Sequence, residues 1–465
     1  MPNPTDHESF ARAFHEHFTS DPNERIMKGV DRDLGELPDP SLAANERRVT
    51  GARTLLASLE PLQAAATDDD IDPRPAHELA RLRLESEIHT RELTFNSRLQ
   101  AAQMPRGGDE IGDGLFLLMA NDPRDPTERL RDITARLEKV PAYLDALLSR
   151  LDTPVARWVD IEKEKVEAMP GLFDATVGFA DAESWEGKAD LTRAAEAAAA
   201  ALPTYLAGLD ALETTTSIHI GEPAARELVR LRGIDLSLEE LHQLATDFLR
   251  ETRETLTELR STLAPKHGLS ADIPLAELHK ALNEKFAADA GEGTDMEPIL
   301  DRYRAERSKV MDFIRERDLF PILADQEMKI LATPTFLEPS IPAGAMMPPP
   351  PFREGTRTSL IYLTIKPDQL DDHTELGIPG MMIHEGIPGH HLQLATAATH
   401  DSTIRRHVDA SEQAEGWTTM LEDYMLDLGY MGDLTDEARF VGKRDLSRIG
   451  ARVVIDLFLM TGNKD

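Results

Sequence analysis

Apolar residues recur at helical spacing through most of the first 330 residues, and this periodicity constrains the fold more than any other feature. Phe10, Phe14 and Phe18 follow one another every four positions, as on one face of an α-helix. Ser237 and Glu240 form a capping box ahead of another periodic apolar series, which predicts a helix start. Further helices are predicted near residues 80–103, 130–140, 153–168, 188–213, 275–289 and 296–318. The pattern predicts a mainly α-helical protein.

Two neighbouring stretches depart from the helical pattern. Residues 339–356 contain four consecutive prolines and several glycines, so we expect an extended surface loop there. Residues 358–365 are apolar and rich in β-branched side chains, which predicts a β-strand. This strand either closes a small sheet or forms an edge strand beside an active site, where an extended peptide could pair with it.

The charge balance excludes some partners. The chain of 465 residues carries 84 acidic and 51 basic residues, a formal net charge of −33, which would repel nucleic acid and anionic membranes. The amino terminus lacks a basic segment followed by an apolar run, and no stretch of about 18 apolar residues occurs anywhere. We therefore expect a soluble, cytoplasmic protein without a nucleic-acid or membrane partner. Its oligomeric state stays open.

Histidines concentrate in one short segment that also breaks the helical pattern. Residues 384–391 hold three of the chain's fifteen histidines together with Glu385, and the chain has no cysteine, so a metal site must use His, Asp and Glu. A helix with His-Glu and a second His one turn later presents two imidazoles to one zinc ion. Here Pro388 occupies that later position.

The irregular spacing can be restored by the backbone. Pro388 has no N–H to donate and Gly389 tolerates unusual backbone angles, so a bulge that absorbs two residues would return His390 to the position of the second ligand. The alternative is a kinked helix with histidines on the surface. The spacing by itself leaves both interpretations open.

A carboxylate for the same metal can come from the next predicted helix, residues 411–424. A polar stripe at helical spacing runs along it and consists of Glu415, Thr418, Thr419 and Glu422. Such a stripe is usually solvated, but opposite a His-Glu-His cluster it can supply a carboxylate. Zinc bound by His384, His390 and Glu415 would keep an open position for water.

The segment HEGIPGHHLQ at 384–393, followed by AEGW at 414–417, resembles the bacterial family called domain of unknown function 885. That family is grouped with the helical zinc metallopeptidases of the gluzincin type, and the resemblance is specific over residues 340–460. It implies that His390 is the second ligand, with His391 at the next position. It also implies Glu415 as the third ligand, Glu385 as the general base, and a fold like that of helical, thermostable carboxypeptidases.

The predicted organisation and activity follow from this resemblance. We expect a helical lobe over residues 1–330 and a catalytic region over 331–465, packed as one large domain, with a small β-sheet beside the motif helix. Family members usually continue further, so we expect the carboxyl-terminal part to be missing or lost. Zinc would lower the pKa of a water molecule from about 15.7 toward about 7, and Glu385 would accept its proton as the water attacks a peptide carbonyl. A groove between helices favours short peptides as substrates.

Four more residues are candidates for contacting the substrate or supporting the ligands. His391 either contacts substrate or hydrogen-bonds a ligand carboxylate, and the sequence favours neither. Tyr362 either assists catalysis or packs, and we favour packing. Glu422 ends the polar stripe. Arg452 is spaced for an ion pair with Asp456, which we favour over recognition of a substrate carboxylate.

Three rival hypotheses remain open. The same metal site could hydrolyse another amide or an ester. The chain could instead be a non-catalytic helical protein that binds zinc or a peptide. A purely structural protein would leave His384, His390 and Glu415 scattered in the fold. A Gly-x-Ser-x-Gly elbow and a phosphate-binding loop before a Lys are both absent, so serine-hydrolase and nucleotide-binding functions have no support.

Overall fold

A computed structural model describes the chain at residues 4, 6–65, 73–95, 97–288, 296–334, 337–338, 341, 343–366 and 373–462. Over these residues the chain is mainly α-helical, with one two-stranded and one three-stranded β-sheet. The predicted mainly α-helical class with a small sheet is confirmed.

The amino-terminal half is almost entirely helical. Its helices are α1 (His7–Phe18), α2 (Pro22–Lys28), α3 (Leu42–Ala65), α4 (Pro73–Glu92), α5 (Gly107–Ala120), α6 (Pro126–Arg150), α7 (Ala156–Ala182), α8 (Lys188–Asp210) and α9 (Glu222–Leu231). The helix predicted over 80–103 ends at Glu92, and a short hairpin of β1 (Thr94–Phe95) and β2 (Arg98–Leu99) follows. Ser97 adopts a left-handed conformation with φ of 62°, which an α-helix cannot continue.

The remaining helices surround the larger sheet and the histidine motif. They are α10 (Leu238–Lys266), α11 (Leu275–Lys285), α12 (Glu297–Arg317), α13 (Gly377–Met381), α14 (His390–Ala397), α15 (Thr403–His407), α16 (Ser411–Asp427) and α17 (Thr435–Thr461). The predicted capping box at the start of α10 is confirmed. Ser237 Oγ accepts a hydrogen bond from the Glu240 N–H at 3.1 Å, and the Glu240 carboxylate accepts one from the Ser237 N–H at 2.8 Å.

The larger sheet consists of β3 (Gln326–Ala332), β4 (Gly344–Met347) and β5 (Arg357–Leu363) in the order β3-β5-β4. Strands β3 and β5 are parallel, while β4 and β5 are antiparallel. The strand predicted over 358–365 is therefore the central strand, and the alternative that made it an edge strand is wrong. The edge is β4, which forms within the stretch expected to be a surface loop because its backbone folds back and pairs with β5.

Strand β5 carries side chains into two cores. Leu360 and Tyr362 pack among the helices α5 to α8, whereas Ile361 and Leu363 pack with α12 and the motif segment. Successive residues of a strand point to opposite faces, so this alternation means that helices cover both faces of the sheet. The second core includes Met382 and Ile383 and therefore holds the histidine motif against the sheet.

Two features of the overall organisation complete the fold. In the described part of the chain, no helix combines the length and the apolar character needed to cross a bilayer. The division into 1–330 and 331–465 stays a prediction.

Candidate metal centre

The histidine motif lies at an interruption between two helices. Helix α13 continues into a π-helical turn at Met382–Gly386, Ile387 is extended with φ of −117° and ψ of 131°, and α14 begins at His390. A Cβ on Gly389 would lie 2.0 Å from the carbonyl oxygen of His384, so only glycine fits this close approach. The bulge expected within one helix is thus corrected to a complete break between two helices, since Pro388 donates no backbone hydrogen bond.

The break brings two imidazoles together with a carboxylate. The rings of His384 and His390 meet edge to face, with centroids 4.9 Å apart. Glu415 of α16 places Oε2 at 3.5 Å from His384 Nε2 and Oε1 at 3.5 Å from His390 Nε2. One ligand atom from each of the three residues lies within 4.8 Å of the others, so the predicted ligands form one cluster, which we call the triad.

The triad fits a zinc ion in its donor types and its spacing. Zinc–ligand bonds of about 2.0–2.2 Å in a tetrahedron place neighbouring ligand atoms roughly 3.3–3.6 Å apart. Both nitrogen–oxygen separations of 3.5 Å match this value. Two imidazoles and one carboxylate also leave a fourth position for water or substrate, as at catalytic rather than structural zinc sites.

Two residues of α16 contact the first histidine. Glu422 Oε1 lies 2.7 Å from His384 Nδ1, so that nitrogen donates to the carboxylate and Nε2 keeps its lone pair directed at the triad. Thr418 Oγ1 lies 3.2 Å from His384 Nε2 and donates to the backbone oxygen of Glu415 at 3.0 Å. Thr418 is absent from the predicted site, although its position three residues after Glu415 in the polar stripe is a signal for it.

The histidines of the triad differ in their electrostatic surroundings. Burial alone would lower the pKa of His384, but the hydrogen bond and negative charge of Glu422 outweigh it and the pKa is raised. Burial lowers the pKa of His390, and the neighbouring His384 adds to the effect. Within the described residues, His390 Nδ1 is buried without a hydrogen-bond partner, so only one of the two histidines has a carboxylate to orient it.

The candidate base, Glu385, lies between the triad and the sheet. Its carboxylate accepts a hydrogen bond from the backbone N–H of Met346 in the edge strand β4. Burial raises the pKa of Glu385, and the negative charges of Glu415 and Glu422 add to this shift. A carboxylate with a raised pKa is a better proton acceptor.

His391 faces away from the triad and toward the sheet. It is fully buried, its Nδ1 lies 2.6 Å from Ser359 Oγ of β5, and its Nε2 is hydrogen-bonded to Gln326 of β3. Burial lowers the pKa of His391 to about 4, so the ring is neutral near pH 7. It anchors the motif to the sheet. Ser359, a polar residue in an apolar strand, is a sequence signal for this contact, whereas Gln326 has none.

The structure brings neither Tyr362 nor Arg452 into bonding contact with the triad. Tyr362 is 1% exposed and packs 5.5 Å from the Phe116 ring, in the core on the face of the sheet opposite the motif. Arg452 is exposed on α17 and forms no ion pair with Asp456, both of which lie in the described part of the chain. A contact missing from the predicted site is made by Trp417, whose Nε1 donates to the backbone oxygen of Pro388 at 3.0 Å.

These observations define a mainly helical protein with a His-His-Glu group that could hold a metal ion. The chain belongs to the family described as bacterial protein of unknown function (DUF885), whose model matches residues 22–464. The family assignment from the motif is thereby confirmed over nearly the whole chain.

Two solved structures are similar to this fold. One is titled "a putative lipoprotein of unknown function" from Shewanella oneidensis, with a TM-score of 0.71, 17% identity, and coverage of 98% of this chain and 84% of that chain. The other is titled "the putative lipoprotein" from Colwellia psychrerythraea, with a TM-score of 0.74, 14% identity, and the same coverage of 98% and 84%. At these identities the likeness shows the fold alone. No curated protein matches the chain.

Proposed function

We propose that this protein is a zinc-dependent metallopeptidase that hydrolyses short peptides. The observation that carries the proposal is the spacing of the triad, in which both histidine Nε2 atoms lie 3.5 Å from the oxygens of one carboxylate. A zinc ion bound at such a site lowers the pKa of a bound water from about 15.7 toward about 7 and polarises a substrate carbonyl. The proposal includes a fold relationship with the helical, gluzincin-type zinc metallopeptidases.

The residues around the triad have distinct roles in this proposal. His384 and His390 hold the metal through Nε2, with Glu415 as the third ligand. Glu385 directly follows a ligand histidine, so its carboxylate is placed to accept the proton of the attacking water and to pass it to the leaving amine. The Met346 N–H holds that carboxylate in place.

The position of β4 supports a peptide as the substrate. β4 is the edge strand of the sheet, and the N–H of Met346 points outward from the sheet to Glu385. An extended peptide can lie along such an exposed edge and pair with its free backbone groups. A chain lying along β4 would therefore pass close to the proton acceptor. We expect substrates of a few residues, since helices α14 and α16 pack close to the motif.

The experiment combines metal analysis with digestion of a peptide library. Purified protein is assayed for zinc by mass spectrometry and then incubated with peptides of about three to six residues, and products are identified by mass. Glu385→Gln should reduce the rate by about 10²–10⁴-fold while zinc content is unchanged. Glu196→Gln, an equal change at an exposed position of α8, is the matched control.

The outcomes separate the proposal from its rivals. One zinc per chain and cleavage that depends on Glu385 support it. One zinc per chain without cleavage overturns it in favour of the alternative, a non-catalytic helical protein that binds zinc or a peptide. Failure to bind zinc overturns both. Cleavage of esters or other amides but not of peptides would retain the metal site and correct the substrate class.

The place of action is a separate proposal. The sequence predicts a cytoplasmic protein, whereas the titles of the two structural neighbours call those proteins lipoproteins. Fractionation of cells that express the native protein distinguishes the two locations. Recovery in the cytosol supports the prediction, and recovery with membranes overturns it.

A further inference from the structure

A cavity of about 290 Å³ lies next to the motif helices. It is enclosed by α2, α5, the segment Pro348–Pro351 and helices α14 and α15. Much of its wall is apolar, including Leu117, Met347 and Leu394. The cavity is large enough for one or two side chains of a peptide.

The cavity continues the surface on which the triad lies. Leu394, Ala397 and Ala398 line it and follow His390 by four, seven and eight positions, so they share one face of α14 with that ligand. At 1.5 Å per residue they lie about 6–12 Å further along the helix. Met347, which also lines the cavity, directly follows Met346, the residue that holds Glu385. An extended peptide rises about 3.3 Å per residue, so the cavity lies roughly two to three residues from the triad.

Three arginines line this cavity, and their charges are not balanced. Arg353, Arg405 and Arg406 form no ion pair with any carboxylate in the described part of the chain. The Nε atom of each is buried and lacks a hydrogen-bond partner among the same residues. This concentration of unpaired positive charge stands in a chain whose net charge is −33.

The acidic groups of the wall do not neutralise the arginines. Asp409 is engaged by the ammonium of Lys28 at 3.0 Å, which leaves Glu24 as the other lining carboxylate. Burial lowers the pKa of Arg353 and of Arg406, which reflects the free-energy cost of a cation with little solvent around it. An anionic ligand would relieve that cost.

We propose that this cavity binds a carboxylate of the peptide substrate, two to three residues from the bond that is cleaved. The guanidinium group matches a carboxylate in geometry and forms charge-assisted hydrogen bonds with it. The carboxylate has two sources, the carboxyl terminus of a short peptide and an acidic side chain. The peptide nature of the ligand rests on the proposed function, whereas the preference for an anion rests on the cavity alone.

Arg405 is the residue to replace, because it does not brace the wall. Arg353 donates to the backbone oxygen of Asn121, and Arg406 donates to that of Pro351, so their replacement would also disturb backbone contacts. The Arg405 guanidinium makes no hydrogen bond in the described residues. Arg253→Gln, an equal loss of charge at an exposed position of α10, is the matched control.

The test measures binding by isothermal titration calorimetry with full-length protein carrying Glu385→Gln, so that peptides are not cut. The probes are matched pentapeptides, one pair with a free or an amidated carboxyl terminus and one pair with Glu or Gln at one internal position. We expect one acidic member to bind about tenfold or more tightly than its neutral partner, and the preferred pair identifies the source of the carboxylate. Adding Arg405→Gln should abolish this preference, whereas Arg253→Gln should preserve it.

The outcomes keep the inference apart from the proposed function. Equal binding of acidic and neutral peptides, or a preference that survives Arg405→Gln, overturns the inference even if the wild-type protein cleaves peptides. An Arg405-dependent preference together with no hydrolysis of any peptide by the wild type supports the cavity assignment and overturns the peptidase. Thermal unfolding of each variant confirms that a lost preference does not arise from a lost fold.

Discussion

Histidine meets glutamate at two places in this molecule, in the triad and in a cluster of the amino-terminal helices. In the triad, His384 and His390 each hold Nε2 at 3.5 Å from an oxygen of Glu415. In the amino-terminal cluster, His17 of α1 holds Nε2 at 2.6 Å from an oxygen of Glu87 of α4. The first separation suits two ligands of a common ion, and the second is a direct hydrogen bond.

The two carboxylates also differ in how fully they are engaged. The Glu87 side chain is 6% exposed and is further paired with Arg48 at 2.6 Å and Arg91 at 2.9 Å. The Glu415 side chain is 64% exposed, and its ion-pair contacts within the described residues are those to the two imidazoles. Glu87 therefore has no lone pairs left for a metal, whereas Glu415 does. The comparison teaches that a candidate metal site is marked by ligand atoms that face one another without being satisfied, and not by histidine beside glutamate as such.

The largest contrast should come from removing one histidine at each place. His390→Ala should lower zinc affinity by more than the roughly 10–100-fold that loss of a supporting residue causes, because it removes a direct ligand. His17→Ala should leave zinc affinity unchanged and destabilise the fold by about 1–3 kcal/mol, because Glu87 loses a buried partner. Zinc titration calorimetry and chemical denaturation of both variants measure the two effects. Reduced zinc affinity in His17→Ala would contradict the division of roles.

Acid should act on the amino-terminal cluster in a defined pH window. Burial would raise the pKa of Glu87, but the His17 hydrogen bond and the charges of Arg48 and Arg91 outweigh it and lower the pKa from 4.5 to about 2. A lowered folded-state pKa stabilises the protein above the unfolded-state value, and this stability is lost as the pH falls from about 4.5 toward about 2. The contribution is of the order of 3 kcal/mol.

The measurement is the free energy of unfolding of wild type and Glu87→Gln between pH 6 and pH 2, in buffers of matched ionic strength (roughly constant screening). The wild type should lose its advantage over the variant as the pH falls through the window. A difference that stays constant across this range would show that Glu87 does not titrate there.

A smaller effect is expected at the carboxylate that orients His384. Glu422→Gln keeps an acceptor for His384 Nδ1 but removes the negative charge, so zinc affinity should fall about tenfold, and Glu422→Ala should approach 100-fold. Zinc competition with a chromophoric chelator measures both. Glu412→Gln on the same helix, whose partner is Arg232, is the control and should bind zinc like the wild type. Equal affinities for all three variants would mean that Glu422 does not support the ligand.

Local sequence patterns were sufficient for the helices and for the members of the triad. The spacing of Phe10, Phe14 and Phe18 predicts α1, in which all three are buried, because helical periodicity depends only on near neighbours. The same holds for the capping box at Ser237. Pro388 and Gly389 mark the interruption for a local reason as well, since one lacks an N–H and the other leaves room for a carbonyl.

The form of the site depends on contacts that local patterns do not encode. His391 binds Ser359 and Gln326, which are 32 and 65 positions away in the chain. Trp417 donates to the oxygen of Pro388 from 29 positions away. The edge strand β4 pairs with β5 and supplies the N–H for Glu385, although its sequence is poor in β-branched residues. Such long-range contacts decide why the helix breaks completely and which way His391 faces.

The smallest predicted effect concerns the break itself, which separates the triad from the regular helices of the amino-terminal cluster. A Cβ at position 389 would lie 2.0 Å from the His384 oxygen and 2.2 Å from that of Ile383, so Gly389→Ala must displace the turn and with it the two imidazoles. We expect a loss of about 1–3 kcal/mol in stability and weaker zinc binding. Gly380 in the adjoining α13 has no heavy atom within 4 Å of its built Cβ, so Gly380→Ala should gain about 0.5–1 kcal/mol and leave zinc binding unchanged. Because the two variants add the same methyl group nine positions apart, equal zinc affinities would mean that the close approach at Gly389 does not position the ligands.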